Sequence, residues 1–189
     1  MANQHLVEMR QRAWTNRAVA DKLVANMSVG QLGWSPAPKS WSPIEVLEHL
    51  NGAAEKYHGL IHDALVRSRE RGLQDDRSFR AGWLQRWFIN QIEPKPQMRK
   101  LSAPSAYRPA RGLPVDARSR DRFFELCDSL QELLGEAEGA SISGVRFGSP
   151  VTPLLRLNVG EALWMLVAHE HRHLLQIQRI CAHPKYPNS

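Results

Sequence analysis

Apolar residues recur along most of this chain at steps of three and four, the period of a helix buried on one side. Leu6, Met9, Ala13, Val19, Leu23 and Met27 mark a first helix over about residues 5–27. "SVGQLGWSPAPKSW" interrupts it with glycine and proline. A second stripe follows in Leu47, Leu50, Ala54, Tyr57, Ile61 and Leu65. Its start is well marked: Ser42 is a natural N-cap, Pro43 takes the first helical position, and Glu45 completes a capping box. The stripe runs out near Gly72. Phe123, Phe124, Cys127, Leu130, Leu133 and Leu134 predict a third long helix over about 116–138. The fourth covers about 158–182, and His183-Pro184 stops it.

The stretch between the second and third helices is less regular. "RAGWLQRWFINQI" predicts a short helix, and "EPKPQMRKLSAPSAYRPARGLPVD" an extended, proline-rich connection. Irregular chain of that length inside one domain suggests a crossover along a bundle, bordering a functional site. No alternating pattern predicts a strand. The expected fold is all-α: a four-helix bundle with a long proline-rich crossover, forming one domain over residues 1–189.

Composition changes this picture little. The chain is 42% hydrophobic and 23% charged, as a folded domain should be. No apolar run approaches the roughly 20 residues that span a bilayer, so no membrane partner is expected. The polar N-terminus lacks the apolar core of a secretory signal, which points to the cytoplasm. Cys127 and Cys181 form no metal or disulfide pattern and are expected to be small buried thiols. The net charge is +6, almost all arginine, but "RSRERG", "RSFR" and "RSRDR" are interspersed with acids and accompany no recognition signature. They predict a solvated surface, and nucleic acid is not the expected partner. Trp34, Trp41, Trp83, Trp87 and Trp164 are expected to pack in the core or at the bundle ends.

The candidate chemistry lies in "AHEHRHLLQI", residues 168–177. At about 100° per residue, His169 and His173 share a face, whereas His171 points away and should be exposed. Ala162, Leu166, His169, His173, Gln176 and Ile180 form one line along the helix. Leu163, Val167, Glu170, Leu174, Ile177 and Cys181 run beside it, and both lines face inward. Imidazoles buried there need polar partners, and a metal ion would satisfy them. His49, at the edge of the second helix's stripe, could supply a third ligand from a facing helix. Glu45 and Glu170 are candidates to orient a ligand or move a proton. Helix capping at Glu45 and a flanking salt bridge at Glu170 are the simpler roles. Arg172 could pair with an anionic substrate or simply lie on the surface. His5, His58, His62 and His183 are expected at the surface.

"WSPIEVLEHL", "KLSAPSAYRPARGLPVD" and "AHEHRHLLQI", in this order and at these separations, resemble the DinB/YfiT-like metal-binding family. The resemblance implies a four-helix bundle with a three-histidine divalent metal site, its ligands falling on His49, His169 and His173. It admits a homodimer. It also implies a transferase or hydrolase acting on a small molecule, with a low-molecular-weight thiol as cosubstrate. A non-enzymatic metal- or ligand-binding bundle with a stress-response role is the alternative. Three neutral imidazoles suit zinc or nickel first, then manganese or iron. Such an ion can lower the pKa of bound water from 15.7 to about 7, or favour a bound thiol as thiolate.

Overall fold

The computed structural model describes residues 3–73, 79–95, 103–104, 107–110, 115–152 and 154–188. Four long helices dominate it: α1 (Gln4–Val24), α3 (Pro43–Glu70), α5 (Ala117–Glu136) and α6 (Val159–Cys181). Two shorter ones are α2 (Val29–Gly33) and α4 (Trp83–Ile92). The long helices start and stop within a few residues of where the stripes place them. The capping box at Ser42 and Glu45 is formed, with Pro43 in the first turn. Gly72 follows α3 with φ +62°, a left-handed conformation that glycine adopts without penalty and that ends a helix cleanly.

The four long helices form a ring. α3 packs against α5 and α6, and α1 packs against the same two, so α1 and α3 are diagonal partners. α4 lies outside the ring against α6. The expected all-α bundle is thus observed. The proline-rich crossover lies largely outside the described residues. Two short strands were not expected: β1 (Arg146–Gly148) and β2 (Arg156–Asn158) pair antiparallel, Phe147 opposite Leu157. Three residues each are too few to show alternation against a background of loop chemistry.

Buried apolar side chains divide into two clusters along the bundle. The larger includes Leu6, Met9, Ile61, Leu65, Leu130, Leu134, Leu163 and Leu166. The smaller gathers Val24, Leu32, Leu47, Leu50, Phe123, Leu174 and Ile177. On α1, α3 and α6 the switch between clusters falls at or beside polar residues: Asn16 on α1, Asn51 with His49 just before it on α3, and residues 169–173 on α6. A polar layer therefore crosses the bundle between two apolar blocks.

The tryptophans divide. Trp34 packs on His183 and Tyr186, and Trp164 donates its indole N–H to Glu93 at 2.8 Å. Trp83 and Trp87 are 77% and 58% exposed, contrary to expectation. α4 turns Ile89, with Phe88 and Ile92, toward the core, and residues 83 and 87 fall on the opposite face. Many arginines sit in surface ion pairs, as the mixed charge pattern predicts: Arg10 with Glu138, Arg17 with Asp128, Arg122 with Glu55 and Glu125.

Candidate metal centre

α6 is held inward at both ends of its polar stretch by Leu163, Leu166, Leu174 and Ile177, all buried. That packing turns His169 and His173 toward α3, with His173 buried and His169 only half-buried. Leu47 and Leu50 do the same for His49. The three rings meet in the polar layer. Their centroids are 4.9 Å (His49–His169), 4.7 Å (His49–His173) and 4.6 Å (His169–His173) apart. One ligand nitrogen from each lies within 4.8 Å of the others. Imidazoles arranged tetrahedrally about zinc, at about 2.0–2.1 Å, have nitrogens about 3.3 Å apart. The His49 and His169 nitrogens, 3.0 Å apart, are already near that spacing. No fourth protein donor belongs to it among the described residues.

Hydrogen bonds already set two of the rings. His49 Nδ1 lies 2.7 Å from the Tyr107 carbonyl, which can only accept. The proton therefore sits on Nδ1, and Nε2 presents its lone pair. His173 Nδ1 is 2.8 Å from Gln176 Oε1, with the same consequence. His49 Nε2 and His169 Nε2 are 3.0 Å apart, so His169 supplies the proton in that contact. An ion would replace that proton. Partners of this kind on the second ring nitrogen fix the tautomer a metal requires.

Burial lowers the pKa of all three rings: His49 is lowered, His169 is held well below 6.5, and His173 falls to about 3. They are neutral near pH 7, the form that binds metal. Trp41 closes one side, its ring centroid 5.0 Å from His49 and 6.2 Å from His173.

Glu45 does not reach the cluster. Its Oε2 accepts from the Ser42 N–H at 2.8 Å, so the capping role is the one observed. Glu170 makes no flanking salt bridge among the described residues. It turns inward, where Asn16 Nδ2 donates to Oε2 at 3.3 Å and the Cys127 thiol points at Oε1. Burial raises its pKa to about 7. A small cavity touches Glu170, His169, Asn51 and His58, walled by Phe123 and Leu130. Arg172 donates toward the Gln91 and Ile92 carbonyls at the end of α4. His171 is half-buried rather than exposed, and lies near Glu93.

Cys127 is buried as expected, and burial beside Glu170 pushes its thiol pKa up. Cys181, the last residue of α6, is only half-buried. Tyr107 and Asn16, neither singled out in the sequence, both contact site residues. A backbone acceptor leaves no trace in residue type, so Tyr107 had no signal. Asn16 interrupts an apolar stripe, which was the available clue.

His58 is buried, not at the surface: α5 covers it and Ser129 Oγ lies 3.2 Å from its Nδ1. Burial and the nearby Arg122 lower its pKa to about 4. The unfolded ring, with pKa near 6.5, therefore takes up protons that the folded ring refuses. Stability is full above pH 6.5 and is lost as pH falls toward 4. Metal-free protein should lose about 2–3 kcal/mol from His58 alone by pH about 4.5, with the decline starting before carboxylates other than Glu170 titrate. Urea unfolding across this range measures it. A flat profile between pH 7 and about 5 would count against the buried neutral ring.

A family model described as the DinB superfamily matches residues 14–177, a span that contains all three histidines. The chain belongs to the DinB superfamily. No curated protein and no solved structure matches it. DinB membership and the histidine cluster agree: both fit a metal-binding helical bundle.

Proposed function

We propose that this DinB-like protein is a divalent-metal-dependent enzyme, a transferase or hydrolase that acts on a small molecule with a low-molecular-weight thiol as cosubstrate. His49, His169 and His173 hold the ion. The observation that carries the proposal is the donor set: three neutral imidazoles from two helices, with no fourth protein ligand among the described residues. Closed structural sites use four protein ligands, whereas catalytic ones use three and keep a position open. Zinc or nickel suits imidazole best, with manganese or iron next. A bound ion supplies Lewis acidity and favours the deprotonated form of a water or thiol.

The chain's own groups supply the rest. Trp41 gives the centre an apolar wall. Glu170, beside His169 and the cavity, is the candidate for orienting a ligand or accepting a proton, while Glu45 serves as a cap. Neither cysteine is suited to be the nucleophile, since burial raises both thiol pKa values. A thiol reaction at this site therefore draws its thiol from solution. The proposal includes a cytoplasmic location and a pair of bundles as the working assembly.

The test is thiol consumption by protein loaded with zinc or nickel, offered glutathione or cysteine with a panel of small electrophiles and esters. Turnover should depend on the ion and vanish on chelation. Stoichiometric metal with no turnover would favour the non-enzymatic binding bundle instead.

A further inference from the structure

We infer that Tyr107 and Lys56 form a clasp that positions His49, so that docking of the crossover on α3 and metal affinity are linked. His49 and Lys56 are seven residues apart on α3, two turns along one face. Tyr107 spans that distance. Its carbonyl accepts from His49 Nδ1 at 2.7 Å, and Lys56 Nζ lies 4.1 Å from its ring centroid. The ring is buried, so the cation–π contact is made on a partly desolvated face.

The described residues on either side are tied to one another. The Tyr107 N–H donates to the Pro104 carbonyl at 2.9 Å, and Arg108 Nε donates to the Ala103 carbonyl at 2.9 Å. These two bonds hold Tyr107 where its carbonyl meets the imidazole. The phenol hydroxyl takes no part: it is buried without a hydrogen-bond partner among the described residues. The ring and the backbone therefore carry the clasp, and the hydroxyl does not.

The linkage is reciprocal. A carbonyl on Nδ1 fixes the tautomer and raises the basicity of Nε2, which favours the ion. An ion on Nε2 makes the Nδ1 proton more acidic and tightens its bond to the carbonyl. The ion should then hold Tyr107 more firmly, by the same free energy that Tyr107 contributes to the ion. Tyr107 and Lys56 are positioning residues, since they act through His49.

The inference rests on the metal centre proposed above, and the test separates the two. Zinc affinity is measured by chelator competition for wild type, Tyr107→Phe, Tyr107→Ala and Lys56→Gln, with circular dichroism confirming the fold. Wild type and Tyr107→Phe should agree. Tyr107→Ala should weaken zinc by about 10-fold or more, and Lys56→Gln by a few-fold. Zinc should also slow amide exchange across residues 107–110 in wild type, and do so less in Lys56→Gln. If wild type binds zinc and Tyr107→Ala binds it equally well, the clasp is overturned while the metal centre stands. If exchange is unchanged by zinc, the linkage is overturned. If wild type takes up no zinc, the metal centre falls and the clasp with it.

Discussion

Replacing His173 by alanine is expected to abolish stoichiometric metal binding while leaving the helices folded. The ring faces the other two imidazoles at centroid distances of 4.6 and 4.7 Å, and Gln176 leaves its Nε2 free to coordinate. Losing an outer partner of a metal ligand typically costs 10–100-fold in affinity, so losing a ligand should cost more than about 100-fold. His49→Ala should do the same from the opposite helix. Elemental analysis after dialysis, beside chelator competition, gives the answer. Wild type should carry about one ion per chain under metal-replete conditions. A His173→Ala protein that still holds a full equivalent would remove the basis for the site. The fold should survive because the polar layer contributes little apolar packing, and the blocks on either side remain intact.

The largest loss of stability is expected far from the ion, at Glu161. Its side chain is 0% exposed and fully engaged. Arg146 Nη2 reaches both carboxylate oxygens at 3.1 Å, the Asn158 N–H donates at 3.0 Å, and the Gly82 N–H donates at 2.9 Å. One carboxylate thus joins β1, the start of α6 and the approach to α4. Glu161→Ala leaves two backbone donors and a guanidinium without their acceptor. Arg146 is 38% exposed and can be solvated, so the loss comes mainly from the two backbone donors left unsatisfied, at about 1–3 kcal/mol each, against about 0–1 kcal/mol for an exposed ion pair such as that of Arg122. The expected result in urea is a lower midpoint with an unchanged slope. A loss below about 1 kcal/mol would mean that the hub is relaxed in solution. Glu161→Gln should fall between, since an amide keeps one acceptor.

What could be read before the structure follows from how far each interaction reaches along the chain. The Leu163–Leu174 side of α6 and the Ser42-Pro43-Glu45 cap are written within a few residues, so period and capping chemistry disclose them. His169 and His173 share a face for the same reason. The meeting of His49 with that pair spans 120 residues, and no local rule encodes it; family resemblance supplied the link. His58 shows the opposite failure. Its spacing to His62 suggests one surface, but α5 covers only the first, and the next turn stays exposed with Glu136 beside His62. Residue type alone assigns Trp83 and Trp87 to the core or the bundle ends, yet Ile89 decides which face of α4 turns inward. Glu161 looks like any acid in a first helical turn. Its burial depends on a hairpin whose strands are three residues each, too short to announce themselves.

The two helices that would share the ion are joined by the greater part of the chain. An ion held by positions 49 and 169 would close a loop containing α4, the crossover, α5 and the hairpin. It would act as a removable staple, restricting the unfolded chain much as a long-range covalent bridge does. Loading and stripping the centre would then change how much of the molecule opens at once, in addition to how strongly it holds together.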